Sequence, residues 1–237
     1  KIEEMTLTDA GTSASRLTSI LEARNITGII VGPARTTGMG LDEIDWTRFS
    51  AVRIGHSLGH PKLHTIATNH YAAMTRVMAE LLARGYRRPG LLIESILDTR
   101  INQLWSSAYL RQQLALARKD RLPPFFSGQD IADKMDTWVR RHRPDAIIVM
   151  GNDINLTALR RQGWQIPDDL GVAVLAQPDK GGTMSGIDEC NGELGAAAVD
   201  FVVGMIHRQE RGVPAHPQTV LTDNTWIEGG TLRPRPA

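Results

Sequence analysis

The sequence has 237 residues, 41% hydrophobic, 22% charged and only 5% aromatic, with a formal net charge of +1. Ordinary hydrophobicity and near-zero charge exclude a disordered chain, and this length folds as one large domain or two subdomains with a substantial core. No basic excess is available to grip a phosphate backbone unaided, and the single Cys190 excludes an intrachain disulfide and a cysteine-rich zinc site.

From the N-terminus, Thr12 to Arg24 reads as a helix, with Leu17, Ile20 and Leu21 at one-turn spacing. Ile26–Val31 is a β-branched strand closed by Gly32-Pro33, and short strands follow at Ala51–Ile54 and Leu63–Ala67. The clearest helix runs from His70 to Arg84, its stripe made by Met74, Val77, Met78, Leu81 and Leu82. Asn69 is its N-cap, and Gly85 supplies the left-handed residue at its end. A second series then begins, with a strand at Gly90–Glu94, a helix over Arg100–Arg118, and a helix over Asp130–Arg141 that turns Ile131, Met135, Trp138 and Val139 inward. Ala146–Met150 is a strand, Ile154–Gln162 a helix, Val172–Ala176 a strand and Gly192–His207 a helix. Thr219–Thr222 is the last strand, before a tail from Trp226.

Continuous apolar strands between helices imply a parallel sheet covered on both faces, so the fold class is α/β, doubly wound, in two lobes. Ligands of such sheets bind beyond the carboxyl ends of the strands, which directs attention to the loops after Val31, Ala67, Glu94, Met150 and Ala176 and to the segment around Glu189. The longest apolar stretches, Ala146–Met150 and Leu170–Ala176, fall far short of the ~20 residues that span a bilayer. No secretory signal is visible, and a start at Lys1 is expected of a fragment or processed form.

Several motifs resolve to bland readings. Gly32–Gly40 carries three glycines after a strand, but no Lys-Ser/Thr pair follows and Pro33 removes a donor, so a loop is expected rather than a phosphate cradle. His56, His60 and His64 have the spacing of metal ligands on a helix, yet Gly59 and Pro61 break any helix there. A solvent-facing loop with incidental histidines is expected. Ser185-Gly186 lacks the glycines of a nucleophile elbow, and no metalloprotease or paired-carboxylate motif occurs. No enzyme activity, metal or cofactor is expected.

Two positions stay open between packing and binding. Asn152-Asp153 follows the AIIVM strand and opens a helix, which suits an N-cap, a hydrogen-bonding pair for sugar hydroxyls, or both. Trp105 suits stacking on an apolar ring face or packing between helix and sheet, with Arg100 and Asn102 one turn earlier.

The segment HTIATNHYAAMTRVMAELLARGYRRPGLL (His64 to Leu92) resembles the strand, helix and strand of the lactose/galactose-repressor (LacI/GalR) family of transcriptional regulators. RPDAIIVMGNDI (Arg143 to Ile154), GWQIPDDLGVAVL (Gly163 to Leu175) and WIEGGTLRP (Trp226 to Pro234) resemble its later blocks in order, so the likeness runs from about residue 15 to 234.

The resemblance implies an effector-sensing domain with the fold of type I periplasmic binding proteins, in which two lobes are joined by three crossovers, near residues 85–90, 184–188 and 213–219. The lobes would be 1–86 with 187–215, and 87–186 with 216–237. It also implies a small-molecule effector, a sugar or sugar derivative, in the interlobe cleft; a homodimer; a cytoplasmic location without membrane attachment; and operator DNA bound through a helix-turn-helix domain not in this chain. Against the family pattern, the first strand and helix of the first lobe are also missing, and are expected in the natural protein.

Carried across residue by residue, the resemblance makes Asn152 and Asp153 the foremost ligand contacts, with Glu189 and Asn191 facing the effector before the last helix. Asn69-His70 stands where the family has Asp-Asn. Trp105 replaces the effector-binding Arg of the family, unless a shifted alignment supplies Arg100 with Asn102 beside it. Pro178 replaces the Asp that ends the VAVL strand, flanked by Gln177 and Asp179. These two departures imply an unusual ligand or none. A periplasmic sugar-binding transport receptor, which shares the fold, is the alternative.

Overall fold

The computed structural model describes residues 2–5, 14–33, 41–128, 131–150, 153–176 and 183–236. Two compact units emerge, residues 1–68 with 192–222 and residues 69–191 with 223–237, so the chain passes between them three times.

The first unit carries helix α1 (Ala14–Ala23) and strands β1 (Gly28–Val31), β2 (Ser50–Ile54) and β3 (His64–Thr68). Late in the chain, α7 (Asn191–His207) and β9 (Thr219–Thr222) return to it. Its sheet is parallel, in the order β1-β2-β3-β9. One face packs Val52 and Ile66 against Leu194, Ala198, Val202 and Met205 of α7. The other gathers Leu21, Val31, Ala51 and Leu63 with Trp46 and Phe49.

The second unit begins with α2 (His70–Ala83), β4 (Pro89–Glu94), α3 (Ser95–Arg100) and α4 (Leu104–Gln113). It continues through β5 (Phe125–Ser127), α5 (Ile131–His142), β6 (Ala146–Val149), α6 (Asp153–Arg161), β7 (Gly171–Val174) and β8 (Ser185–Asp188), and closes with β10 (Thr225–Ile227). The sheet order is β10-β8-β7-β6-β4-β5. One face packs on α2 and α4 through Met74, Leu81, Trp105 and Tyr109. The other packs on α5 and α6 through Met135, Val139, Leu156 and Leu159. Gly186 on β8 is required for close approach, because a Cβ there would lie 2.3 Å from the Val174 carbonyl oxygen.

Four expectations from sequence are corrected. The helix over Arg100–Arg118 narrows to α4, Leu104–Gln113, and Arg100 instead closes the separate α3, because Asn102 and Gln103 both adopt left-handed backbone (φ 58° and 60°). Asp98 organises the joint, its carbonyl accepting from the Gln103 N–H (2.8 Å) and its carboxylate from the Ser106 N–H (3.2 Å). The tail from Trp226 contains β10, which runs antiparallel to β8, so the second sheet is not wholly parallel. The short β5, which has no counterpart in the sequence pattern, extends the sheet beside β4. Finally, β9 pairs with β3, and α2 packs on α4 and in the core containing Leu91 and Ile148. Residues 219–222 therefore lie in the first unit and α2 in the second, unlike the lobe boundaries drawn from sequence.

Candidate functional site

The carboxyl ends of β4, β6 and β8 in the second unit are where the sequence placed ligand contacts. Helix α2 starts with Asn69 as its cap, the side-chain oxygen accepting from the Ala72 N–H (3.1 Å), and ends at Gly85 with φ 82°. The Asn69 carbonyl in turn accepts from the Asn224 side-chain amide (3.3 Å). This cap fixes the next residue, His70, at the end of the apolar stripe.

His70 meets two groups from distant parts of the sequence. Its ring stands edge-on to Trp105 of α4, with centroids 5.1 Å apart and planes at 75°. Its Nδ1 lies 3.5 Å from the Glu189 carboxylate, which follows β8. Burial, with the negative charge of Asp188 beside it, pushes the Glu189 carboxyl up to about 7. Asp188 is itself engaged, its Oδ1 accepting from the Cys190 N–H (2.8 Å). Cys190 has φ 53°, which turns the chain from β8 into α7.

Trp105 is 3% exposed and belongs to the core with Tyr86, Leu91 and Tyr109, so its ring packs between helix and sheet. Its indole N–H is nevertheless buried without a hydrogen-bond acceptor among the described residues. Two other buried polar groups of α4 are satisfied. Gln113 donates to the Pro89 carbonyl (3.1 Å) and accepts from the Leu122 N–H (2.8 Å), while the Tyr109 hydroxyl lies 3.1 and 3.0 Å from the Pro89 and Leu122 carbonyls. Burial raises the Tyr109 hydroxyl well above its ordinary value.

Of the residues expected at the site, Asn69, Trp105 and Glu189 are connected through His70, a residue to which the sequence assigns no ligand role. The signal that could have found it is the aromatic-compatible, titratable residue directly after an N-cap at a strand-to-helix turn. Asn191 is exposed at the start of α7, and Asn102 is exposed in the α3–α4 joint, serving the turn. Arg100 is half-buried at the end of α3. Asp153 opens α6, though its side chain lies outside the described residues. Asn152, Gln177 and Asp179 also lie outside them, as do Pro178 and residues 34–40 of the glycine loop.

The three histidines do not share a solvent-facing loop. His64 sits within β3, buried, its ring accepting from the Gln218 N–H (2.9 Å) and bonded to Glu210 (2.9 Å). His56 is half-buried, and burial together with Arg53 pulls its imidazole below the usual range. Strand pairing of β3 with β9 brings these partners in, which local spacing does not reveal. Among the described residues no three His, Cys, Asp or Glu side chains are grouped to hold a metal, and no helix is long and apolar enough to cross a membrane. The first unit has cavities of about 390 and 460 Å³, lined in part by Asp200, Arg208 and Glu210 and by Trp46, Lys62 and Pro214; neither includes an expected site residue.

A family model, the periplasmic binding protein-like domain, matches residues 78–232. No curated protein matches the sequence. Among solved structures, a LacI transcriptional regulator from a Rhodococcus species superposes with a TM-score of 0.70 at 17% identity, covering 95% of this chain and 85% of that one. The transcriptional regulator CelR in complex with cellobiose gives a TM-score of 0.63 at 15% identity, over 92% of this chain and 69% of that one. A LacI-family regulator from Enterococcus faecium with bound ribose gives 0.62 at 12% identity, over 94% and 85%. These likenesses show the fold, and they agree with the LacI/GalR resemblance read from the sequence.

Proposed function

Since the chain belongs to the periplasmic binding protein-like domain family, we propose that it is the effector-sensing domain of a LacI/GalR-type transcriptional regulator. In this reading a small polar molecule of sugar-like character binds at the strand ends of the second unit. The observation that carries it is the Glu189, His70 and Trp105 group, which combines a half-buried carboxyl, an imidazole and an acceptor-less indole N–H at the edge where α/β sheets bind ligands. Such groups bind and orient a ligand without a nucleophile or an oxyanion hole, so recognition rather than turnover is the role.

The effector acts by binding two states of the domain unequally, since a ligand shifts an equilibrium only by its differential affinity. In a homodimer, moving the balance from 1:99 to 99:1 takes about 5.5 kcal/mol, shared over both sites. The output is operator DNA, held in the cytoplasm by a helix-turn-helix module outside these 237 residues, which the near-neutral charge of this chain requires for DNA binding. That these fold neighbours are transcriptional regulators favours this over a transport receptor.

Thermal melts of the chain with ribose, cellobiose and a wider library of small polar metabolites test the reading. A saturable rise in Tm that follows ligand concentration is expected from one member, as mass action requires. A library without any stabilising member overturns it.

A further inference from the structure

We infer that the amino edge of the second sheet carries a phosphate-binding ridge, a row of unpaired cations that lies against the backbone of duplex DNA without reading its sequence. The ridge is separate from the strand-end site described above. The choice of DNA as the polyanion rests on the regulator reading, whereas the ridge itself rests on its geometry.

The topology builds it. Arg118 and Lys119 precede β5, Arg141 and Arg143 precede β6, and Arg160 and Arg161 close α6 before β7. These strands are parallel and lie in the order β7-β6-β4-β5, so basic segments far apart in sequence share one edge. Four strands at ~4.8 Å spacing make that edge about 15 Å long. Arg88, just before β4, ties the row together. Its guanidinium donates to the carbonyls of Lys119 (2.5 Å), His142 (2.8 Å) and Arg143 (3.1 Å). Arg140 joins the end of α6 to the row by donating to the Gln162 carbonyl (3.3 Å).

Arg118, Lys119, Arg141, Arg143, Arg160 and Arg161 are all exposed, and none has an acidic partner among the described residues. The acids nearby serve the scaffold instead. Asp120 faces Arg88 at 3.8 Å, Asp136 holds Arg140 at 2.8 Å, and Asp145 accepts from the Arg87 and Arg88 N–H groups (2.6 and 2.8 Å). Helix-dipole complementarity accounts for cations at the ends of α5 and α6, but not for Arg118 and Lys119, which lie in a 3-10 turn beyond α4. The net charge of +1 does not reveal the ridge, because a total is blind to where the charges lie.

Guanidinium groups bind phosphate oxygens in pairs, and a duplex carries one negative charge per ~1.7 Å of axis, so it meets the ridge with several phosphates at once. An acidic protein also offers oxygens, but protein interfaces are anchored by large apolar or aromatic side chains, and no ridge segment exposes a large hydrophobic one. Single strands stack their bases on open aromatic rings. Trp164, beside the ridge, is half-buried, with the Arg140 guanidinium 5.3 Å from its ring centroid. The duplex backbone remains. At physiological salt such contacts alone reach only ~10⁻⁴–10⁻⁶ M, so the ridge adds phosphate contacts beside an operator that the helix-turn-helix module holds, and does not replace that module.

The test is fluorescence anisotropy of a ~20-base-pair duplex of arbitrary sequence, titrated with the chain between ~20 and ~150 mM salt. Saturable binding is expected at the lowest salt, with a log–log slope of about −4 to −5, as ~0.9 per neutralised phosphate gives for about five contacts. Arg118→Gln with Lys119→Gln, and Arg141→Gln with Arg161→Gln, replace exposed side chains without partners, so folding is kept. Each pair is expected to reduce the slope by about 2 and to weaken low-salt binding about tenfold, while Lys62→Gln, at an exposed cation of the first unit, changes neither. A polyglutamate of equal charge that binds as tightly as the duplex, or a single strand that binds more tightly, overturns the duplex-phosphate assignment. No binding at the lowest salt, a slope that the paired variants leave unchanged, or one that Lys62→Gln lowers as much, overturns the ridge itself. Any of these outcomes leaves the effector reading to the metabolite melts.

Discussion

In the second unit, β6 and β7 are buried along their whole length between two apolar clusters. At the sheet edges the picture changes: β1 and β9 of the first unit keep exposed side chains, among them Ile30, Val220 and Leu221, and β5 of the second exposes Phe126. Glu189 and Trp105 belong to the second unit, where the strand ends meet α2 and α4. A low dielectric needs surrounding matter, and only there do α2, α4 and the strand ends supply it together. The comparison teaches that the site depends on a completed core more than on any one polar residue.

The largest effect is expected from truncating that core. Trp105→Ala removes a ring packed with Tyr86 and Leu91 and is expected to destabilise by about 3–5 kcal/mol, read by urea unfolding. Leu221→Ala, on the exposed strand of the first unit, is its counterpart and is expected to stay within about 0.5 kcal/mol. Equal losses would break the contrast between the two units.

Next in size is the pH dependence of Glu189. Its carboxyl holds its proton up to about pH 7 in the folded chain, against 4.5 when unperturbed. The stability that this protonation carries is complete below pH 4.5 and is lost as the pH rises through 7, by no more than about 3 kcal/mol at about 1.4 kcal/mol per pKa unit. Glu189→Gln is expected to flatten this part of the stability–pH curve and to be the more stable protein above pH 7. Parallel curves for the two proteins would place the carboxyl in water.

The smallest effect sharpens the boundary between scaffold and site. Asn69→Ala removes the cap of α2 and is expected to cost about 1 kcal/mol, whereas Asn69→Ser keeps a capping oxygen and most of the stability. If the Ser variant restores stability without restoring ligand affinity in titrations, Asn69 serves the ligand as well as the helix.

Much of this was legible in the residues. The stripe Met74, Val77, Met78 and Leu81, with Asn69 before it and Gly85 after it, specified α2 to within a residue at each end, because caps and 3.6-residue periodicity are local signals, whereas Leu82, expected in the same stripe, is exposed. The joint at Asn102 and Gln103 was not legible, since Asp98, the residue that stabilises it, is recruited from the preceding helix. The burial of His64 escaped for a similar reason, as Glu210 and Gln218 reach it from 146 and 154 residues away.

The sequence by itself determined the α/β class, the order of the longer helices and strands, and the family, all of which rest on periodicity and short motifs. Only the tertiary structure decided that β9 joins the first sheet, that β10 turns back along β8, and that His70 stands between Trp105 and Glu189. The reason is physical. Burial, dielectric and hydrogen-bond satisfaction are properties of what surrounds a group, and those surroundings assemble from segments that are neighbours only once the chain has folded.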